Sequence, residues 1–154
     1  MKRVHMDARD ISNRGMDAVV IGESYEFHKT VTDADITLYA GLVGDFHRLH
    51  LDDEYAKRTT YGRRIAHGAM LLGFMSTAST ILSDRLEERI PQPNVSLGYN
   101  KVRFTGPVFV GDTITTTITV TEKLDEQDRV LCDERCVNQR GELVAVAEHV
   151  MKFV

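Results

Sequence analysis

The hydrophobic period of the sequence changes once, near residue 91, and this change constrains the fold more than any other feature. Residues 68–89 contain no proline and predict one long helix, which Pro91 and Pro93 then terminate. Apolar side chains form a broad stripe along this helix, and many of its other positions are small, a pattern typical of a buried helix. The stripe consists of Met70, Leu71, Phe74, Met75, Ala78, Ile81 and Leu82.

Beyond residue 94 the apolar residues alternate with polar ones, which is the period of a β-strand. The clearest case places Ile114, Ile118 and Val120 on one face of a strand and threonines on the other. Short polar turns separate the strands. Four consecutive strands are predicted, over residues 95–106, 110–124, 128–139 and 142–154.

This order predicts an α+β domain in which a single long helix lies against an antiparallel sheet. Residues 19–31 alternate weakly and add an N-terminal strand. A small closed barrel fits the strand pattern less well, because side chains fill its interior and leave no room for the helix. The chain of 154 residues predicts one domain over residues 19–154, preceded by a loosely held tail over residues 1–18.

Charge and composition exclude several classes of protein. The net charge of −4 does not favour a general attraction to nucleic acid or to an anionic membrane. No apolar run approaches the roughly 18 residues of a membrane span, and the first residues lack the apolar core of a secretory signal. Cys132 and Cys136 predict two buried, reduced thiols. We therefore expect a cytoplasmic protein that binds neither nucleic acid nor membranes.

A short helix precedes the stretch that contains the most side chains capable of catalysis or metal binding. Thr32, followed by Asp35, predicts a capped helix start, and Gly44 predicts its end. The next residues, GDFHRLHLDDEYA over positions 44–56, contain two histidines, three aspartates and a glutamate. If the helix continued, Asp45 and His50 would point about 140° apart. The chain must therefore turn after Gly44 for the two side chains to converge.

An aspartate beside a histidine can act as a general acid–base pair that holds one water between them. A metal site is an alternative, because His47 and His50 are three residues apart with Asp45, Asp52 and Asp53 nearby. The acidic residues are also the usual composition of a helix N-terminus, so no metal is expected. A solvated loop remains the third interpretation of the stretch.

A second element is IAHGAM, residues 65–70, at the start of the long helix. Free N–H groups at a helix start stabilise negative charge, and a glycine lets a ligand oxygen approach closely. Gly68 is therefore a candidate oxyanion donor. It is equally suited to tight packing between the helix and a strand. His67 is expected to shape the turn rather than to take part in chemistry.

Taken together, these elements resemble the MaoC-like hydratase family, which includes the (R)-specific enoyl-CoA hydratases. The family places an aromatic residue and a small run before Gly-Asp-x-Asn-Pro-aliphatic-His, and residues 39–50 read YAGLVGDFHRLH, with Ala56 as the small residue that follows. The HG at 67–68, VRFTGPVFVGDTI at 102–114 and NQRGELV at 138–144 resemble the later parts of the pattern. The match spans roughly residues 20–154.

The resemblance implies a hotdog fold, in which an antiparallel sheet wraps a long central helix, and a homodimer or larger homo-oligomer. It also implies roles for four residues. Asp45 and His50 would hold and activate water, Gly68 would donate its N–H to the thioester carbonyl, and Ser76 would support hydrogen bonds in the active site. No cofactor is implied, because the acyl-CoA thioester is itself the substrate.

One departure from the family pattern concerns the loop between the two catalytic positions. His47 and Arg48 replace the family's Asn-Pro. His47 can hydrogen-bond as asparagine would, and Arg48 is a candidate ligand for a carboxylate or a CoA phosphate. Arg63 and Arg64, with Lys57 nearby, are candidate phosphate contacts, although a solvated basic surface is the simpler interpretation.

The expected function is the reversible addition of water to a trans-2-enoyl-CoA of short or medium chain, by an (R)-specific enoyl-CoA hydratase or 3-hydroxyacyl-CoA dehydratase. Two alternatives remain. A hotdog thioesterase would attack the carbonyl carbon instead, and a non-catalytic hotdog would only bind acyl-CoA.

Overall fold

The computed structural model of the protein describes residues 16–90 and 92–154. Five strands and four helices lie in these residues; the sequence predicts the strands, the helix after the first strand and the long helix, but not the two four-residue helices between them. In chain order they are β1 (Ser24–Thr30), α1 (Asp33–Val43), α2 (Arg48–Leu51), α3 (Asp53–Ala56), α4 (Met70–Glu87), β2 (Asn94–Phe104), β3 (Thr113–Leu124), β4 (Arg129–Val137) and β5 (Leu143–Phe153), with a 3₁₀ turn at Asp125–Gln127.

The five strands form one antiparallel sheet in the order β1-β3-β4-β5-β2. Strands β3, β4 and β5 are joined by short turns, whereas β1 and β2 lie at the two edges. On β3, Ile114, Ile118 and Val120 face the core together with the buried Thr116, whereas Thr115, Thr117 and Thr119 lie on the opposite face, as predicted. The long helix α4 packs across one face of the sheet, so the α+β class and the hotdog arrangement are both confirmed.

The core lies between α4 and the sheet. The buried face of α4 consists of Met70, Leu71, Met75, Ala78, Ser79, Leu82 and Leu86. It packs against inward-facing residues of β3, β4 and β5, including Ile118, Cys132 and Ala145. Cys132 and Cys136 are free and buried, as predicted, and burial raises the pKa of the Cys132 thiol to about 12.

The opposite face of α4 differs from the prediction of a helix buried all round. Gly73, Ser76, Thr77 and Thr80 are exposed in the single chain. The helix covers the sheet with one stripe only, and its small-residue side is left open. Among the described helices, none is both long and apolar enough to cross a lipid bilayer.

The last residues of the predicted N-terminal tail pack against the core. Most of the expected tail, residues 1–15, lies outside the described residues. Residues 16–18 were also assigned to it, yet the Met16 side chain is buried against Leu82 and Leu86 of α4. The Lys123 ammonium also donates a hydrogen bond to the Met16 carbonyl.

A chain of polar side chains crosses the core beneath α4. The Nδ1 atom of His149 lies 2.7 Å from Glu134 Oε1, and its Nε2 lies 2.7 Å from the Ser96 hydroxyl. Neither Glu134 nor His149 has measurable exposure. Burial raises the pKa of the Glu134 carboxyl, and the hydrogen bond to His149 opposes that rise. Because the Glu134 carboxyl and His149 Nδ1 are each other's partners, truncation of Glu134 leaves a buried ring nitrogen unpaired.

We therefore expect Glu134→Ala to lower the free energy of unfolding by about 3–5 kcal/mol, since it leaves the His149 imidazole buried without its partner. Urea denaturation followed by circular dichroism measures the change. Glu122→Ala on β3 is the matched control, because its carboxylate is exposed, and it should change stability by less than about 0.5 kcal/mol. Equal stability of the two variants would show that the buried pair contributes nothing.

Candidate active site

The end of α1 turns the chain so that the histidine-rich stretch can fold back on itself. Thr32 and Asp35 form the capping box at the start of α1, and Gly44 ends it in the left-handed conformation at φ 78°. His47 then caps α2, with its Nδ1 accepting a hydrogen bond from the Leu49 N–H at 3.2 Å. Asp45 and His50 therefore lie on either side of a turn, not on one continuous helix.

This turn brings three side chains together. A carboxylate oxygen of Asp45 and one ring nitrogen each of His50 and His67 all lie within 4.8 Å of one another. Asp45 is half exposed, His50 is partly buried and His67 is almost completely buried. At this separation a single water can hydrogen-bond to the Asp45 carboxylate and to His50 at once. The convergence expected of these two side chains is present.

The hydrogen bonds of His50 define its tautomer. Its Nδ1 lies 2.8 Å from the Ile65 carbonyl oxygen, which can only accept, so Nδ1 carries the proton. In the uncharged ring, Nε2 then has a free lone pair. Burial lowers the pKa of His50, and the hydrogen bond to the Ile65 carbonyl only partly offsets this. His50 is therefore prepared to accept a proton or a hydrogen bond through Nε2 at neutral pH.

A cavity of about 350 Å³ opens beside this cluster. Gly68 lies in the turn immediately before α4, which begins at Met70 rather than at Gly68 itself. The lining residues include His50, His67, Gly68, Leu71, Phe104 and Pro107.

The surroundings of Gly68 bear on both interpretations of its position. A β-carbon there would lie 2.9 Å from the Phe104 ring, so close packing against β2 requires glycine. The N–H groups of Met70 and Leu71 bond to the carbonyls of His67 and Gly68. Among residues 16–90 and 92–154, by contrast, the Gly68 N–H donates no hydrogen bond. That donor is free to bind a ligand oxygen.

Ser76 is not brought to this cluster. It lies on the exposed side of α4, two turns beyond Gly68, and does not line the cavity. Its hydroxyl is near that of Tyr99, without a hydrogen bond of ordinary length between them. Burial raises the pKa of Tyr99 to about 12. In the single chain, Ser76 therefore does not contact the proposed catalytic groups.

The basic residues predicted to bind substrate are largely paired with carboxylates. The Arg48 guanidinium lies 2.7 Å from Asp52 and stacks over a tyrosine ring. Arg64 bonds to both Asp33 and Asp53 and so ties α1 to α3.

The other two basic side chains near the loop are also engaged. Arg63 lies over the Phe109 ring at 3.9 Å from its centroid. Lys57 pairs with Glu54 at 2.6 Å. Neither these side chains nor Arg48 and Arg64 line the cavity, which favours the interpretation of a solvated basic surface.

His67 contacts both Asp45 and His50, which the sequence did not predict. Its Nε2 lies 3.0 Å from the Asp45 carbonyl oxygen, and its ring stacks on that of His50 with centroids 3.8 Å apart. The signal in the sequence was its position directly before Gly68. Nothing in the sequence showed that the ring would lie across His50, because the two residues are 17 positions apart.

With this geometry established, comparison with known proteins identifies the class. Residues 17–139 match the family model described as the MaoC like domain, and the chain belongs to that family. It is 34% identical over 131 residues to an (R)-specific enoyl-CoA hydratase of Rhodospirillum rubrum, covering 85% of this chain and 86% of that protein. The resemblance inferred from the sequence is thereby confirmed.

Solved structures agree with this assignment. The fold is similar to that of R-hydratase PhaJ1 from Pseudomonas aeruginosa in the unliganded form, with a TM-score of 0.74 and 31% identity over 90% of this chain and 84% of that one. It is also similar to a monoamine oxidase regulatory protein of Archaeoglobus fulgidus, with a TM-score of 0.76 and 34% identity over 90% of this chain and 93% of that one. Because one fold carries both names, the function must be argued from the site.

The geometry predicts the protonation state of His50 directly. We expect its titration midpoint, followed by NMR of the imidazole Cε1 proton, to lie below the ordinary value of 6.5, because burial disfavours the charged ring. At pH 7.5 the ¹⁵N shifts should show a protonated Nδ1 and an unprotonated Nε2. A midpoint above 6.5, or the opposite tautomer, would contradict the assignment.

Proposed function

We propose that this protein is an (R)-specific enoyl-CoA hydratase, a hydro-lyase that reversibly adds water to a trans-2-enoyl-CoA. The observation that carries the proposal is the convergence of Asp45 on His50, which lines the same cavity as Gly68. The name of the Rhodospirillum rubrum relative supports the reaction and its stereochemistry.

The three groups account for the chemistry of hydration. Water held between the Asp45 carboxylate and His50 Nε2 adds its hydroxyl to Cβ of the enoyl thioester. Negative charge then develops on the thioester oxygen, and the Gly68 N–H stabilises it. One proton of the water passes through Asp45 or His50 to Cα, which completes the addition. Dehydration follows the same path in reverse.

The cavity supports a short acyl chain. A volume of about 350 Å³ lies at the lower end of the usual range for ligand pockets, roughly 300–1,000 Å³. Its walls include the apolar side chains of Leu71, Phe104 and Val108. Because Arg48 is paired with Asp52 outside this cavity, the geometry gives no support to a preference for dicarboxylic acyl groups.

We infer that the reaction uses no metal ion or other cofactor. The cluster of Asp45, His50 and His67 has the composition of a metal site, but its geometry does not suit one. A metal ion must lie near the plane of each imidazole that ligates it. The His50 and His67 rings are stacked 3.8 Å apart at 28°, so their lone pairs lie in separate, nearly parallel planes and cannot meet at one ion.

The first test uses crotonyl-CoA. Asp45→Asn and His50→Gln should each lower kcat by about 100-fold or more, because each removes an acid–base group. Glu54→Gln is the matched control for the aspartate, since its carboxylate is exposed and pairs with Lys57 on the surface. His28→Gln on β1 is the control for the histidine. A variant of Asp45 or His50 that kept most of its activity would refute the assigned pair.

The same assay separates the alternative functions. Loss of the enoyl absorbance indicates hydration, whereas release of free thiol indicates thioester hydrolysis. Binding without either change would support a non-catalytic acyl-CoA-binding protein.

We further propose that the chain forms a homodimer through the β2 edge and works in the cytoplasm. Strand β2 is an edge of 11 residues with Val95, Leu97 and Phe104 exposed. The β1 edge has 7 residues, and its exposed positions are polar. A long edge with apolar side chains is a surface that soluble proteins cover. The exposed small-residue side of α4 would permit the helix of a second subunit to approach. The buried free thiols suit a reducing compartment, which supports the cytoplasmic location.

The dimer proposal is tested by placing a charge on each edge in turn. Leu97→Glu should reduce the molar mass measured by light scattering from that of a dimer to that of a monomer, because the added carboxylates repel across the joined edges. His28→Glu, the equivalent change on β1, should leave the dimer intact. A monomeric parent protein, or a dimer that survives Leu97→Glu, would exclude the β2 interface.

A further inference from the structure

His67 occupies an unusual place for a residue outside the proposed catalytic pair. Its side chain is only 2% exposed. Its ring lies between His50, stacked at 3.8 Å, and Tyr39 of α1, tilted at a centroid distance of 5.1 Å. The His67 ring therefore contacts two aromatic rings and also lines the cavity.

The hydrogen bonding of His67 is one-sided. The Asp45 carbonyl can only accept, so Nε2 carries the proton of the uncharged ring and donates it at 3.0 Å. The other nitrogen, Nδ1, is buried and has no partner within the described part of the chain. A histidine kept with one unsatisfied nitrogen costs stability, and such groups require an explanation.

We propose that His67 is a positioning residue that sets the state of the Asp45–His50 pair. This inference rests on the proposed hydration reaction. The Nε2–H bond fixes the backbone of Asp45, and hence the place from which its carboxylate reaches the shared water. The ring covers one face of His50 and excludes water from it. Asp45 and His50 are thereby held through one side chain.

Covering His50 has an electrostatic consequence. Removal of water from the ring disfavours its charged form, so His50 remains the uncharged acceptor that the reaction needs. The titratable and charged groups that face it are His67, Asp45 and His47, with the Arg64 guanidinium near its backbone carbonyl at 3.5 Å. Of these, Asp45 favours the charged ring, whereas the two histidines oppose it.

Two substitutions separate the two contributions of His67. His67→Gln keeps an N–H donor near the position of Nε2 but removes the ring from the face of His50. His67→Phe keeps a ring over His50 but removes the hydrogen bond to the Asp45 carbonyl. A residue that only filled space would not distinguish the two.

In His67→Gln, water regains access to His50, and we expect its NMR titration midpoint to rise toward 6.5. The acid limb of the pH profile of kcat/KM should move to higher pH by the same amount, since the uncharged ring is the active form. In His67→Phe the midpoint should stay low, while kcat falls about 10-fold or more at every pH because Asp45 is no longer held. His28→Gln should change neither quantity.

An unchanged His50 midpoint in His67→Gln would overturn the proposal. The NMR titration does not depend on turnover, so it decides the question even if crotonyl-CoA is not hydrated and the proposed function fails. If neither variant folds, the parent protein provides the test: the proposal requires cross-relaxation between the ring protons of His50 and His67 and a protonated Nε2 on His67. Absence of either signal would refute it.

Discussion

The packing of α4 against one face of the antiparallel sheet is the constraint on which the rest of the structure depends. Its buried stripe, from Met70 to Leu86, fixes both the height and the rotation of the helix over the sheet. The turn that precedes the helix is fixed with it, and that turn contains His67 and Gly68. Close contact between Gly68 and Phe104 of β2 then determines where the cavity opens. The site is thus a consequence of how the core is packed.

Backbone carbonyls position the site as much as side chains do. The Ile65 carbonyl holds His50 Nδ1, and the Asp45 carbonyl holds His67 Nε2. Each bond joins residues 45–50, which follow α1, to the segment before α4, and each fixes a tautomer as well as a position. Two segments far apart in sequence are therefore fastened to each other at the point where the proposed chemistry takes place. Such preorganisation leaves little to rearrange when a substrate binds.

Much of this arrangement could be predicted from the sequence. The Thr32 and Asp35 cap, the Gly44 stop and the alternation in β3 depend on local backbone chemistry, and all three are present. The closeness of Asp45 and His50 could also be anticipated, since Gly44 ends α1 and lets the chain turn before His50. The resemblance to the MaoC-like family added the expected position of Gly68. Each of these inferences involves residues that are near in sequence or that follow a fixed period.

Other features could not be predicted, because they depend on contacts between distant segments. The ion pairs of Arg64 with Asp33 and Asp53, the open side of α4 around Ser76 and the burial of Met16 depend on where separate elements meet. The sequence by itself determined the elements, their order, the fold class and the residue types of the site, because periodicity and capping are local. Only the tertiary structure decided that His67 lies across His50 and that Gly68 packs against Phe104. Those contacts form when the helix settles on the sheet, and no local pattern encodes them.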